Sequence, residues 1–413
     1  MSNRFDKYDY FYSMLGNPEA TFPTISANLH RIRRHSLAPF FSVKAVQNFH
    51  NKLQGLSERL AERMIECKAT GKPVPLFLAY RCLTADVISE FIFGRQLGII
   101  NREDFGRAFY ESWRSLWDLS PVIRQFPWMM KVLLGLPRWV TAALSPKALE
   151  VIDMQAQIDQ WTREAINDSS EGKDAGKSGS ILAALVTTDD LPSDEKTFKR
   201  LSIEANSLLA AGFETTGAVL THMTYCVLTD PPRRAKLVKE LRQAIPDPTA
   251  IPTWQALEKL PYLTAVIKET LRHSVGAYSR LPRVIPKPMI YANHLIPAGT
   301  AVGMSALFIE RREGIFSDAD DFIPERWLDP AEAMRLEPYI LTFGKGSRDC
   351  IGRQLAFAEL YSVTATIFRR FGEEIELFET TQDDIEAYHD YFGGMVKWGN
   401  GRKGLQVAFS KKS

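Results

Sequence analysis

Apolar positions recur every three to four residues over most of the 413-residue chain, the period of helices with one buried face. The pattern predicts amphipathic helices over residues 43–69 and 80–95, another over 147–167, and a long one from Phe198 to Leu228. A further helix opens at Pro261, a residue suited to a first helical turn, and runs through Leu271 and Arg272. The last clear helical pattern starts at Arg353, just after Gly352. Turn-bounded runs over 280–285, 291–300 and 405–409 read as short strands. Residues 1–25 are aromatic and turn-rich without a clear period. The stretch 105–145 holds Trp113, Trp117, Phe126, Trp128, Met129, Met130 and Trp139, which reads mostly as core packing.

Composition removes some function classes. Apolar residues make up 45% of the chain, ample for a large core. A net charge of +2, from 51 basic and 49 acidic residues, gives no case for a nucleic-acid partner. Cys67, Cys82, Cys226 and Cys350 are sparse and lack C-x-x-C spacing, so they read as intracellular thiols. No window has the long uncharged apolar run of a transmembrane helix, and the first seven residues lack the apolar core of a signal peptide. Two stretches mimic nucleotide sites and are set aside. Residues 169–180 resemble a phosphate-binding loop, but Glu171 stands where the first glycine belongs. Gly399 to Gly404 fit G-x-G-x-x-G but precede a strand, with nine residues left to the end of the chain.

The candidate chemistry centres on Phe343-Gly344-Lys345-Gly346-Ser347-Arg348-Asp349-Cys350-Ile351-Gly352. Cys350 sits just ahead of a helix N-terminus, where unpaired N–H groups and the helix dipole favour thiolate over thiol. Arg348, two residues earlier, can pair with an acidic group of a ligand. A thiolate offered by a tight loop to a flat, bulky partner is what an axial haem ligand requires. Within the long helix, Gly212 and the paired Thr215 and Thr216 weaken the interior. A threonine hydroxyl bonded back to a carbonyl can open such a helix to water, and Glu214 beside Thr215 can relay protons. His30 and Arg34 are four apart on one helix face, a spacing that suits a pair of carboxylates. Glu269 and Arg272 are three apart, as are Glu111–Arg114 and Glu332–Arg335.

The run 343–352 resembles the haem-binding signature of the cytochrome P450 family, Phe-Gly-x-Gly-x-Arg-x-Cys-x-Gly, with every specified position filled. Ala211 to Thr216 resembles the family's oxygen-activating motif, which implies Thr215 as the alcohol and Glu214 as the acid. The resemblance implies that His30, Arg34 and Arg283 grip the haem propionates, with Arg348 of the signature loop also at the cofactor. It selects Glu269–Arg272 by position, between the Thr215 helix and the Cys350 loop. Arg326 of Pro324-Glu325-Arg326-Trp327 then completes a buried structural triad. Residues 275–281 would face the substrate, and 105–145 would lie over its entrance and touch a membrane surface.

With four motifs in the family's order, the implied fold is the mainly α (α+β) cytochrome P450 fold, one catalytic domain over 1–413 with small sheets. The implied cofactor is haem b, with Cys350 as axial ligand of the iron. The implied reaction inserts one oxygen atom of O2 into a small lipophilic organic substrate, as in fungal members that tailor secondary metabolites. With no flavin or nicotinamide domain in the chain, electrons would come from an NADPH-cytochrome reductase. Two alternatives keep the fold: an isomerase, dehydratase or reductase, and an inactive haem-binding fragment. Relatives normally carry about a hundred residues before the His30 helix, including a membrane anchor and the first strands. The expectation is therefore a truncated form of an endoplasmic reticulum membrane enzyme, cytoplasmic or peripheral as written and poorly soluble by itself.

Overall fold

Helices carry most of the chain in the computed structural model, which describes residues 5–15, 18–126, 128–144, 148–170, 180–274 and 276–410. Most of the phosphate-loop look-alike (171–179) and Val275 lie outside the described residues. The helices that position the site are α1 (Ala27–Leu37), α2 (His50–Thr70), α3 (Leu76–Phe93), α4 (Arg107–Asp118), α5 (Ala148–Ser170), α6 (Phe198–Leu228), α7 (Pro231–Ala244), α8 (Pro261–Ser274) and α9 (Arg353–Phe371). Local chemistry sets several starts. The side chains of Ser26, Thr197 and Asp230 accept the N–H groups of Leu29, Arg200 and Arg233, closing the open first turns of α1, α6 and α7.

At 31 residues, α6 spans about 46 Å, and α3 packs along it. The expected amphipathic helix over 80–95 is corrected here. It begins at Leu76, and every residue of α3 is buried. Such a helix has no solvent face to leave polar. The apparent polar positions are internal partners instead. Arg81 pairs with Glu214, and Glu90 with Lys52. Asp86 accepts the N–H groups of Ile99 and Ile100 at 3.1 and 2.9 Å.

The two helices approach closely because α6 carries glycine where they meet. A Cβ on Gly212 would lie 2.6 Å from Ile88 Cγ1, and one on Gly217 would lie 2.9 Å from Arg81 Cγ. Gly212 therefore admits a neighbour. It does not interrupt α6, which is helical from end to end.

Small antiparallel sheets flank the helices. β1 (Asp6–Lys7), β2 (Arg283–Val284) and β5 (Ala301–Val302) lie in the order β1-β2-β5, and β3 (Met289–Tyr291) pairs with β4 (His294–Ile296). β6 (Ile375–Leu377) pairs with β9 (Val407–Phe409), and β7 (Ala387–Tyr391) with β8 (Gly393–Val396). The register that matters sets Lys7 opposite Arg283, which brings two cations from distant parts of the chain side by side.

The tryptophan-rich stretch divides. Trp113 is buried on α4, and Trp117 is partly buried against the core. Phe126, Trp128 and Trp139 are 51%, 62% and 75% exposed, so core packing does not describe them. They lie in or beside the short helices Ser120–Gln125, Trp128–Gly135 and Arg138–Leu144. Among the described residues no helix is long and apolar enough to cross a membrane.

Asp86 gives a test of the α3 interior. Burial pushes its carboxyl up to about 6, against the pull of the Ile100, Ile99 and Gly98 N–H groups. Asp86→Ala leaves those donors unpaired and should cost about 1–3 kcal/mol of stability. A folded-state pKa above the unfolded value favours the protonated form, so stability should fall as pH rises from the ordinary carboxylate range through 6. In melting curves at about pH 4 and about pH 7, the Asp86→Asn variant should gain on the wild type at the higher pH. Parallel curves would contradict the assignment.

Candidate functional site

The cysteine loop is held by hydrogen bonds at both ends. The Cys350 N–H donates to Phe343 O at 2.8 Å, and the Gly344 N–H donates to Leu341 O at 2.7 Å. Gly344 and Gly346 adopt φ of +66° and +79°, where a side chain would strain the turn. Arg34 of α1 donates to Asp349 Oδ1 at 2.6 Å, and Arg353 donates to Asp349 Oδ2 at 3.2 Å. Arg348 donates to the carbonyls of Thr24 and Ile25 at 2.8 and 3.0 Å. The loop is thereby clamped to the segment that leads into α1.

Cys350 lies deep in the protein mass, yet it is solvent-accessible, whereas Cys67, Cys82 and Cys226 are buried. Its thiol is raised above the ordinary value. Burial dominates, opposed by the Gly352 N–H and by Arg353 and Arg34. The expectation that the helix N-terminus alone favours thiolate is thus corrected, since desolvation of a sulfur anion outweighs one N–H and two partly screened cations. A coordinated metal ion supplies the missing positive charge and deprotonates such a thiol.

Five basic side chains gather beside this loop. His30, Arg34, Arg283 and Arg348 were expected there; Lys7 was not. Lys7 is buried, donates to Phe22 O, and stands 4.2 and 4.0 Å from the ring centres of Tyr12 and Phe22. Burial, then Arg283 and Arg348, lower Lys7 to about 6. Burial, then Arg348, Lys7, Arg34 and Arg283, lower His30 to about 3. Arg348 falls to about 10, by burial and then Arg283. Arg283 donates to the Tyr12 hydroxyl at 2.7 Å and to the carbonyls of Leu281 and Pro282. Lys7, Arg283 and Arg348 thus meet carbonyls and a phenol, with no carboxylate ion pair among the described residues. A cluster that depresses its own basicity calls for an anion. No motif marks Lys7; the signal would have been one lysine in an aromatic stretch, paired in register with a later strand.

On α6, Ala211 and Thr215 are exposed one turn apart in a helix otherwise largely buried. The Thr215 hydroxyl donates to Ala211 O at 2.8 Å. Glu214, the next residue back, points elsewhere, because successive residues on a helix differ by about 100°. It is buried and receives Arg81 Nη2 at 2.7 Å and Arg81 Nε at 3.0 Å. Arg81 also donates to Phe77 O at 3.0 Å and Thr221 Oγ1 at 3.3 Å. The structure does not bring the Glu214 carboxylate to the Thr215 hydroxyl. Arg81 escaped the sequence reading because its helix was taken to have a solvent face.

Glu269, Arg272 and Arg326 do come together. Glu269 accepts Arg272 Nη2 at 2.7 Å, Arg272 Nε at 2.9 Å, Arg326 Nε at 3.1 Å, the Ile323 N–H at 2.9 Å and Trp327 Nε1 at 2.8 Å. Glu332–Arg335 also forms, at 2.6 Å, but on the surface. Arg114 pairs with Asp118 at 2.8 Å. A surface groove of about 590 Å³ between Arg234 and Glu373 contains none of these residues.

An accessible deep thiol, a ring of basic side chains short of anions and an accessible hydroxyl in a buried helix fit an iron porphyrin with acidic side chains. The cytochrome P450 family description matches residues 2–387 of the chain. This chain is a cytochrome P450.

Its relatives agree. It is 34% identical to the cytochrome P450 monooxygenase MO6277 of Ascocoryne sarcoides, over 94% of this chain and 77% of that protein. It is 33% identical to the tryptophan 6-hydroxylase fscE of Fusarium equiseti, over 98% and 79%. It is 34% identical to the N-acetyltryptophan 6-hydroxylase ivoC of Emericella nidulans, over 100% and 80%. In fold it matches a crystal structure of a cytochrome P450DA heme domain with a TM-score of 0.76 at 18% identity, over 99% of this chain and 84% of that one. This P450 is therefore a haem-dependent monooxygenase of the mainly α class, an oxidoreductase that inserts one oxygen atom of O2 into a small organic substrate in secondary metabolism.

The position of the Glu-x-x-Arg pair can be tested directly. Glu269→Ala leaves two buried guanidiniums without their anion and should cost about 3–5 kcal/mol. Glu332→Ala removes a surface pair and should cost at most about 1 kcal/mol. Equal losses in thermal melts of the two variants would show that burial does not separate them.

Proposed function

We propose that this P450 oxidises a small lipophilic substrate, that Cys350 would hold the haem iron and Lys7, His30, Arg34, Arg283 and Arg348 would hold the acidic side chains of the haem, and that Thr215 holds the proton to be delivered. The accessibility of Cys350 deep inside the protein carries this reading. Haem, when bound, supplies the activation of O2 and the insertion of one oxygen atom. The loop and α1 hold the sulfur in place. Thr215 Oγ1 donates its one proton to Ala211 O, so the hydroxyl must turn away from that carbonyl to offer the proton outward. Glu214 can replace that proton only when its pair with Arg81 opens, so Arg81 sets how often the acid is free. Glu269, Arg272 and Arg326 hold the scaffold on the cysteine side.

Electrons come from an NADPH-cytochrome reductase. The exposed Phe126, Trp128, Val132 and Trp139, with Arg124 and Arg138 nearby, form the face that touches a membrane surface, because aromatic and basic side chains together suit the lipid headgroup region. In that reading the enzyme works at the endoplasmic reticulum. Two relatives are named for tryptophan and N-acetyltryptophan, which makes indole amino acids the first substrates to assay.

The reduced, carbon monoxide-bound protein should show the red-shifted Soret band of thiolate ligation. Cys350→Ala should abolish it, and single replacement of Cys67, Cys82 or Cys226 should not. A band that survives Cys350→Ala would refute the ligand assignment.

Thr215→Ala should keep the haem spectrum but divert about 10²-fold or more of the flux from product to hydrogen peroxide, the scale of a lost proton-transfer group. Measured as product per NADPH consumed, wild-type coupling in that variant would remove Thr215 from proton delivery.

A further inference from the structure

One buried acid outside the roles above connects the Glu269 network to the cysteine loop. Glu310 ends the short helix Ala306–Glu310 and is fully buried. Its backbone carbonyl accepts Arg272 Nη1 at 2.8 Å. Its carboxylate Oε1 accepts the Leu341 N–H at 2.6 Å and the Thr342 hydroxyl at 3.3 Å. The Thr342 hydroxyl also reaches Leu271 O at 2.5 Å. Leu341 O in turn receives the Gly344 N–H, and Phe343 O receives the Cys350 N–H. A continuous path of hydrogen bonds thus runs from α8 through Glu310 to the cysteine. Glu310 Oε2 is buried without a hydrogen-bond partner among the described residues.

We propose that Glu310 is a positioning residue for Cys350, fixing the two residues before the loop and so the place at which the sulfur would meet the iron. The proposal rests on Cys350 being the iron ligand. Its geometry is specific. Glu310 is the side chain that satisfies the Leu341 N–H, and leaving that part-buried N–H unpaired would pull the segment before the loop toward other acceptors. Glutamine can keep this bond through its amide oxygen; methionine, of similar length, cannot. Burial raises the Glu310 carboxyl to about 7, against Leu341, Thr342 and Arg272. Near neutrality the acid is therefore substantially protonated, and glutamine is a close mimic of it.

The test compares Glu310→Gln, Glu310→Met and a packing control, Leu336→Ala, which empties a buried site in the neighbouring small core. The holoenzymes are read by the thiolate Soret band per bound haem in the carbon monoxide complex, and by the rate of haem loss to an acceptor globin. Outer partners of metal ligands typically carry about 10- to 100-fold in affinity, so Glu310→Met should lose haem about 10-fold faster with a diminished band. Glu310→Gln should stay within about two-fold of the wild type. Leu336→Ala should lower the melting temperature and leave the band per haem unchanged. A full band in Glu310→Met, or equal impairment in Gln and Met, including failure of both to fold, would overturn the proposal. A wild type without the band would instead overturn the ligand assignment beneath it.

Discussion

The cysteine half of this molecule hangs on one carboxylate. Glu269 is fully buried, and five donors from four side chains or backbone groups converge on its two oxygens. An anion in such a place is tolerable only when its lone pairs are filled and cations stand beside it. Arg272 supplies one of those cations and uses its remaining donors on the carbonyls of Glu310, Ala319 and Asp321. The stretch from Glu310 to Trp327 is thereby tied to α8. The position of the cysteine loop follows, because its approach is bonded to Glu310 and its exit is α9.

The opposite imbalance marks the other side of the loop. Lys7, Arg283 and Arg348 share a small region whose partners are neutral oxygens. Their mutual repulsion would be a pure loss to stability unless an anion relieved it. The two regions complement each other. One is saturated and rigid, built to hold geometry. The other is electrostatically incomplete, its basic groups meeting neutral oxygens.

Between them, the contact of α3 with α6 decides the surroundings of Glu214 and Thr215. Gly212 and Gly217 let α3 approach to within the reach of a missing Cβ. That approach brings Arg81 onto Glu214 and leaves the Thr215 hydroxyl on the accessible side. Acid and alcohol, adjacent in sequence, therefore sit in different environments: one clamped in the core, the other accessible.

The residues alone specified a good deal. The Phe343–Gly352 spacing, the helix from Phe198 to Leu228 and the start of the next at Pro261 were all legible, because they depend on local rules: glycine dihedrals, a 3.6-residue period and proline at a first turn. The reach of α3 was misread because a periodic pattern cannot tell a solvated face from polar side chains that find partners inside. Lys7, Arg81 and Glu310 were invisible for a related reason. Each is an ordinary charged residue whose importance lies in what stands opposite: Arg283 across a strand pair, Glu214 on a packed helix, Leu341 ahead of a loop. Sequence by itself determined the family, the long helices and the local bends of the cysteine loop. Only the tertiary structure decided which charges are paired, which are left facing an open interior and how far burial moves their protons, since desolvation and Coulomb terms depend on neighbours that chain order does not supply.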